Sequence, residues 1–138
     1  MAILVSACLL GIKCRYDGKS KAYPAVLELL KSETLIPICP EQLGGRPTPR
    51  IPVEIKNGRI IEENGRDRTE EFVHGAEETL RIAKMYNCKK AILKAKSPSC
   101  GFGKIYDGTF SKTLTDGNGI AAQMLYENGI EIVNEDEI

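Results

Sequence analysis

Apolar positions along the chain fall into two rhythms, short continuous runs and longer stretches at helical spacing. Ile3-Leu4-Val5-Ser6-Ala7 is a short apolar run closed off by Gly11, which predicts a buried strand. Over residues 22–31, Val26, Leu27, Leu29 and Leu30 recur at helical spacing, and Pro24 is tolerated in a first turn. Thr34-Leu35-Ile36-Pro37-Ile38 reads as a second strand that runs directly into Cys39-Pro40-Glu41. Residues 44–52 hold too many Gly and Pro for regular structure and read as a stiff loop. Val53-Glu54-Ile55 and Arg59-Ile60-Ile61 flank Asn57-Gly58, a strong hairpin signal. An amphipathic helix is predicted over residues 68–87, with Phe72, Val73, Ala76, Leu80, Ala83 and Met85 on its inner face and Ile82 at the border. Ala91-Ile92-Leu93 is a third buried strand, leading through Lys94-Ala95-Lys96 to Ser97-Pro98-Ser99-Cys100-Gly101. A second Gly-rich loop then reaches a helix over residues 119–128, stopped by Gly129, and Ile130-Glu131-Ile132-Val133 closes the series as a strand.

Strands that alternate with helices imply a sheet covered on both faces. The predicted fold is a Rossmann-like three-layer α/β sandwich with a mostly parallel sheet and a small β-hairpin excursion, in a single domain spanning residues 1–138. Tyr16-Asp17-Gly18 and Tyr106-Asp107-Gly108 echo one another and read as two similar turns.

Charge narrows the partners. Lys plus Arg and Asp plus Glu each total 19, so there is no net basic field to hold nucleic acid, and tRNA is disfavoured as a partner relative to a small polar molecule. No apolar run approaches the length of a membrane span, and the N-terminal residues lack a basic leader, so a cytoplasmic protein, monomer or homodimer, is expected. Thiols stay reduced in that compartment, and five cysteines is an odd number, so metal or thiol chemistry is favoured over a disulfide framework.

Ligands of open parallel sheets bind beyond the carboxyl ends of the strands. Cys8 follows the first strand, Cys39 the second and Cys100 the third, which makes them candidate partners in one metal–sulfur site. Cys88 sits at a helix-to-strand turn on the opposite edge and reads as a small buried hydrophobe. Cys14 lies in the loop after Cys8, within reach of the site. Zinc sites ordinarily pair close cysteines or add histidines; no C-x-x-C occurs, and the single histidine, His74, lies mid-helix. An iron–sulfur cluster accepts thiolates that are far apart in sequence. The same position of His74 argues against Ser/His/Asp catalysis, and no P-loop is present. Glu41, two residues after Cys39, and Ser97, three before Cys100, are candidate acid/base and hydroxyl groups. Their ordinary alternatives are a helix N-terminal carboxylate and a turn residue. Arg46, Arg50, Lys94 and Lys96 are candidates to favour anionic substrate groups, or else solvated surface charges.

Several segments together resemble the thiouracil desulfidase (TudS-like) family: Val5-Ser6-Ala7-Cys8-Leu9-Leu10-Gly11, Cys14-Arg15-Tyr16-Asp17-Gly18, Cys39-Pro40-Glu41, Gly44-Gly45-Arg46-Pro47-Thr48-Pro49-Arg50, Lys96-Ser97-Pro98-Ser99-Cys100-Gly101 and Ile105-Tyr106-Asp107-Gly108-Thr109-Phe110. The resemblance implies a [4Fe-4S] cluster held by Cys8, Cys39 and Cys100, with one iron left open to the sulfur of a thiolated pyrimidine or nucleoside. It implies non-redox removal of that sulfur with sulfide release, and it carries the family's acidic and serine positions onto Glu41 and Ser97. Cys14 is a departure, since many relatives have an apolar residue there; iron bound by Cys14 would close the open site. Two rival readings remain: a cysteine-based sulfur- or metal-binding or trafficking module without turnover, and a zinc-bound structural domain.

Overall fold

The computed structural model describes residues 1–138. Its central sheet has four strands, β1 (Ala2–Ser6), β2 (Thr34–Ile38), β5 (Lys90–Leu93) and β8 (Glu131–Asn134), in the order β2-β1-β5-β8 and all parallel. The predicted α/β sandwich is therefore present, with a sheet that is wholly parallel. Period-two alternation sends successive side chains to opposite faces. Leu4, Ala91 and Leu93 pack on one side with Ala83, Ala122 and Leu125, which belong to α3 (Thr69–Met85) and α4 (Ile120–Glu127). Val5 and Ile92 face the other side, where Val26 of α1 (Pro24–Glu28) covers them together with Leu9 and Cys14. Leu4, Val5 and Ile92 have no solvent exposure, as strands covered on both faces require.

Chain direction decides where a ligand can sit. From β1 the chain leaves toward β2, and from β5 it leaves toward β8, the opposite flank. The neighbouring strands β1 and β5 thus form a topological switch point, where open α/β sheets have a crevice at their carboxyl ends.

Four expectations need correction. The helix read over residues 22–31 is α1 followed by a 3-10 turn, Leu29–Lys31, and Leu30 is exposed. On α3, Val73 and Met85 are exposed, while Gly75 and Thr79 are buried in their place. The reason is close backbone packing: α2 (Pro40–Leu43) crosses α3 so tightly that a Cβ on Gly75 would overlap the Pro40 carbonyl, and one on Gly44 the Glu71 carbonyl. The small face of α3 turns inward, and its larger apolar residues at the edge do not. The hairpin at Asn57-Gly58 forms as β3 (Val53–Lys56) and β4 (Arg59–Glu62), but it is not the only one. The Gly-rich stretch after Cys100, read as a loop, contains β6 (Phe102–Tyr106) and β7 (Leu114–Asn118) as an antiparallel pair. Gly103, Gly117 and Asp116 suppress the propensity signal there, while cross-strand pairing, including a Lys104–Asp116 ion pair, supplies the order. No helix is long and apolar enough to cross a membrane.

Candidate functional site

Three chain exits converge on the crevice at the carboxyl edge of β2, β1 and β5. β1 ends at Ser6, and a 3-10 turn, Ala7–Leu10, carries Cys8. The Cys8 carbonyl accepts from the backbone N–H groups of Gly11 and Lys21, at 3.2 and 2.9 Å, so the loop after it folds back over the exit. β2 ends at Ile38, and Cys39 is the extended residue before α2, with Pro40 at the first helical position, where its missing N–H costs nothing. β5 leads to a tight turn in which Ser97 Oγ accepts the backbone N–H groups of Ser99 and Cys100, both at 3.1 Å. That turn aims Cys100 back across β1, where Ser6 Oγ–H donates to its Sγ at 3.2 Å. Ser6 Oγ is itself held by the Lys94 backbone N–H at 2.9 Å, so one hydroxyl ties β1 to the exit of β5.

The thiols are set in an environment that disfavours charge. Cys8, Cys14 and Cys100 are buried, Cys39 is half-buried, and all five cysteines are free. Burial, partly offset by the Ser6 hydroxyl, pushes the Cys100 thiol up to about 12. Cys14 rises to about 11: its hydrogen bond with Cys39 favours the thiolate, but that effect is outweighed by its hydrogen bond with Cys8, burial and the neighbouring Cys8 charge. Cys39 is also raised, by its hydrogen bond with Cys14 and then by burial, and its Sγ–H donates to the Cys14 carbonyl at 3.7 Å. Cys14, reachable by sequence, is thus inside the thiol group beside Cys8 and Cys39. Cys88 lies apart from it, packed with Ala83, Leu125 and Ile130 on the helical side of the sheet.

Glu41 projects from α2 into the same crevice. Its Oε1 accepts from Arg50 Nε at 2.8 Å, and its Oε2 accepts from Ser99 Oγ at 2.9 Å. Glu41 and Ser97 are therefore brought to one site without touching each other. Ser99 is the residue that sequence reasoning passed over. The signal available was its place between the two, one residue before Cys100, but Ser97 ahead of Pro98 drew the attention.

The four expected cations take different parts. Arg50 enters the site, but as a partner of the protein itself: its side chain is 4% exposed. Besides Glu41 it donates from Nη1 to the Pro47 carbonyl and Thr48 Oγ1, both at 3.1 Å, and from Nη2 to the Cys14 carbonyl at 3.0 Å. Arg46 pairs with the buried Glu62 at 3.4 Å, beside Arg68, and Lys94 pairs with Glu135 at 3.0 Å. Lys96 alone is exposed without an ion-pair partner, on a backbone with φ 70°. His74 is exposed on α3, as a solvated imidazole on a helix face is expected to be.

Comparison with known proteins agrees with this arrangement. A model of the 2-thiouracil desulfurase family matches residues 3–137. An uncharacterized protein of Bacillus subtilis (strain 168), YbbK, is 42% identical over 146 aligned positions that cover 99% of this chain and 97% of that protein. A solved structure described as the [4Fe-4S]-dependent thiouracil desulfidase TudS superposes with a TM-score of 0.94 at 40% identity, covering 99% of this chain and 92% of that one. This chain belongs to the 2-thiouracil desulfurase family.

Proposed function

We propose that this protein is an iron–sulfur-dependent desulfidase that exchanges the sulfur of a thiolated uracil, as base or nucleoside, for oxygen, with sulfide release and no net redox change. The observation that carries the reading is the convergence of Cys8, Cys39 and Cys100 from adjacent strand exits onto a crevice that also holds Glu41. The donor set suits a cluster. It is all thiol, it spans three strand ends, and no three His, Cys, Asp or Glu side chains close on one point to chelate a single ion. The raised thiols point the same way, since buried neighbouring thiolates need a cationic partner and Arg50 is already engaged by Glu41.

When bound, a [4Fe-4S] cluster held by these three cysteines supplies a Lewis-acidic iron that polarises the thiocarbonyl bond. The protein's own groups do the rest. Glu41, oriented by Arg50, offers a carboxylate to take a proton from the water that attacks the ring carbon. Ser97 presents a hydroxyl from the turn that also carries Cys100. Ser6 donates to Cys100 and holds that thiol in register. The balanced charge of the chain supports a small pyrimidine over tRNA as the substrate.

Anaerobic reconstitution with iron and sulfide is expected to give a brown protein with about four irons per chain. It should convert thiouracil to uracil with release of sulfide. A colourless, iron-free protein under those conditions sinks the proposal, and an iron-loaded protein without turnover favours the trafficking alternative.

A further inference from the structure

Glu41 and Ser97, the two groups placed nearest to proton transfer, are joined only through Ser99. Ser99 Oγ–H donates to Glu41 Oε2 at 2.9 Å, and Ser99 Oγ lies 3.1 Å from Ser97 Oγ. Counting donors and acceptors settles the direction of this chain. An ionised carboxylate only accepts, and a guanidinium only donates. With Arg50 Nε donating to Oε1 at 2.8 Å, the Ser99 proton belongs to Oε2. At the other end, Ser97 Oγ accepts two backbone N–H groups, from Ser99 and Cys100 at 3.1 Å each. Those two bonds occupy both lone pairs of the hydroxyl, so its own proton must be donated, and Ser99 Oγ is the acceptor in reach. The order is therefore Ser97 O–H to Ser99 O–H to Glu41, with one polarity. Ser99 is 2% exposed whereas Ser97 is only partly buried, so the middle of the chain is shielded from solvent and its Ser97 end is open.

We propose that Ser99 is a positioning residue that passes a proton between Ser97 and Glu41, acting through those two groups without contact to substrate. This rests on the desulfidase reading. As water adds to the ring carbon, it gives one proton to Ser97 Oγ, which releases its own proton to Ser99 Oγ. Ser99 releases its proton to Glu41 Oε2. One proton reaches the carboxylate, both hydroxyls end as they began, and no electrons move. The carboxyl group gives the proton up as hydrosulfide departs, which resets the chain.

The test compares wild type, Ser99→Ala and Ser99→Thr as reconstituted holoenzymes turning over 2-thiouracil. Ser99→Ala keeps the backbone N–H that Ser97 needs, so iron content and KM are expected to stay unchanged while kcat falls by about 100-fold or more. Ser99→Thr restores most of the rate. The solvent deuterium effect of wild type curves with isotope fraction, as several moving protons require, and becomes linear in Ser99→Ala. Full activity in Ser99→Ala, or a loss fully accounted for by lost iron, overturns the proposal. A second measurement needs no turnover: the infrared carboxylate stretch of Glu41 in the iron-free protein, assigned with Glu41→Gln, shifts in Ser99→Ala. An unshifted band overturns the chain whatever the activity. An inactive wild type counts against the desulfidase reading instead, and the infrared result then decides the role of Ser99 alone.

Discussion

Removing Arg50 tests how the site is held together more sharply than removing any cysteine, because the effect can be worked out before a metal is considered. Its guanidinium joins three segments that are distant in sequence: Glu41 on α2, the Cys14 carbonyl after β1, and Pro47 and Thr48 in the stiff loop. The pair is nearly closed to solvent, with side-chain exposures of 4% for Arg50 and 13% for Glu41. Truncating one member of such a pair leaves the other charge buried without a partner, which costs about 3–5 kcal/mol. That is a large part of the ~5–15 kcal/mol by which a domain is ordinarily stable. Arg50→Ala is therefore expected to lower the urea midpoint of the iron-free protein steeply. Arg50→Lys keeps the charge but cannot reach three segments from one ammonium, and a loss of about 2 kcal/mol follows from the hydrogen bonds given up. Glu41→Gln combined with Arg50→Ala relieves the stranded carboxylate, so the double variant should lose about 1–3 kcal/mol less than the sum of the singles. Urea unfolding of all four proteins under reducing conditions gives the cycle. An Arg50→Ala cost below about 1 kcal/mol, or strict additivity with Glu41→Gln, would refute the reasoning, because a surface ion pair behaves that way.

Three further outcomes follow from the same geometry. Cys100 and Cys14 keep their protons to about 12 and about 11, against 9.0 for a free thiol. Both shifts are upward, so their contribution to stability is intact below pH 9.0 and is lost as pH rises toward those values; iron-free protein should weaken above pH 9.0 by up to about 1.4 kcal/mol per pH unit and thiol, and a flat urea midpoint there contradicts it. Gly75→Ala sets a methyl against the Pro40 carbonyl, and because both partners are backbone the cost should exceed about 3 kcal/mol, with Gly75→Ser no better; thermal melts near wild type would show that α2 and α3 can separate freely. Cys88→Ala should bind as much iron as wild type and lose about 1 kcal/mol for a small core deletion, whereas Cys39→Ser should fail to load; iron lost on removal of Cys88 would mean that the ligand set has been drawn wrongly.

What the amino-acid pattern discloses, and what it conceals, divides along a physical line. The parallel sheet was legible because strands buried on both faces are nearly continuous apolar runs, as in Leu4, Val5, Ala91, Ile92 and Leu93. Once the strands were placed, their carboxyl ends placed Cys8, Cys39, Cys100, Glu41 and Ser97 in one region, and the structure brings all five there. The hidden parts depend on contacts between segments. Nothing local distinguishes Ser99 from Ser97; only the approach of α2 puts Glu41 within 2.9 Å of the former. Arg50 reads like any charged loop residue until Glu41 and the Cys14 carbonyl are seen around it. The inward face of α3 was misjudged because hydrophobicity ranks Val73 and Met85 above Gly75, whereas the α2 crossing selects for the absence of a side chain. The β6–β7 pair was missed since its residues lack strand propensity and its order comes from the partner strand.

The charges at the sheet edge also explain why these residues occur together. Glu41 lies close enough to Cys39 and Cys100 that its negative charge helps to raise both thiols, so an unpaired Glu41 would oppose any thiolate formed beside it. Arg50 answers that charge from the side away from Ser99, and its remaining donors go to carbonyls, leaving no second cation for the sulfurs. Four buried or half-buried thiols therefore stay protonated in the bare protein, and whatever converts them to thiolates has to bring positive charge with it. Three protons must leave for three cysteine ligands to form, so iron loading should weaken as pH falls, opposite in sign to the stability of the iron-free fold above pH 9.0. The same crevice is thus stable empty at neutral pH and receptive to a cationic cluster as pH rises. Cys14 sits in it as a fourth thiol beside Cys8 and Cys39, and Cys14→Ala that loads iron with the same stoichiometry as wild type would show that three ligands suffice.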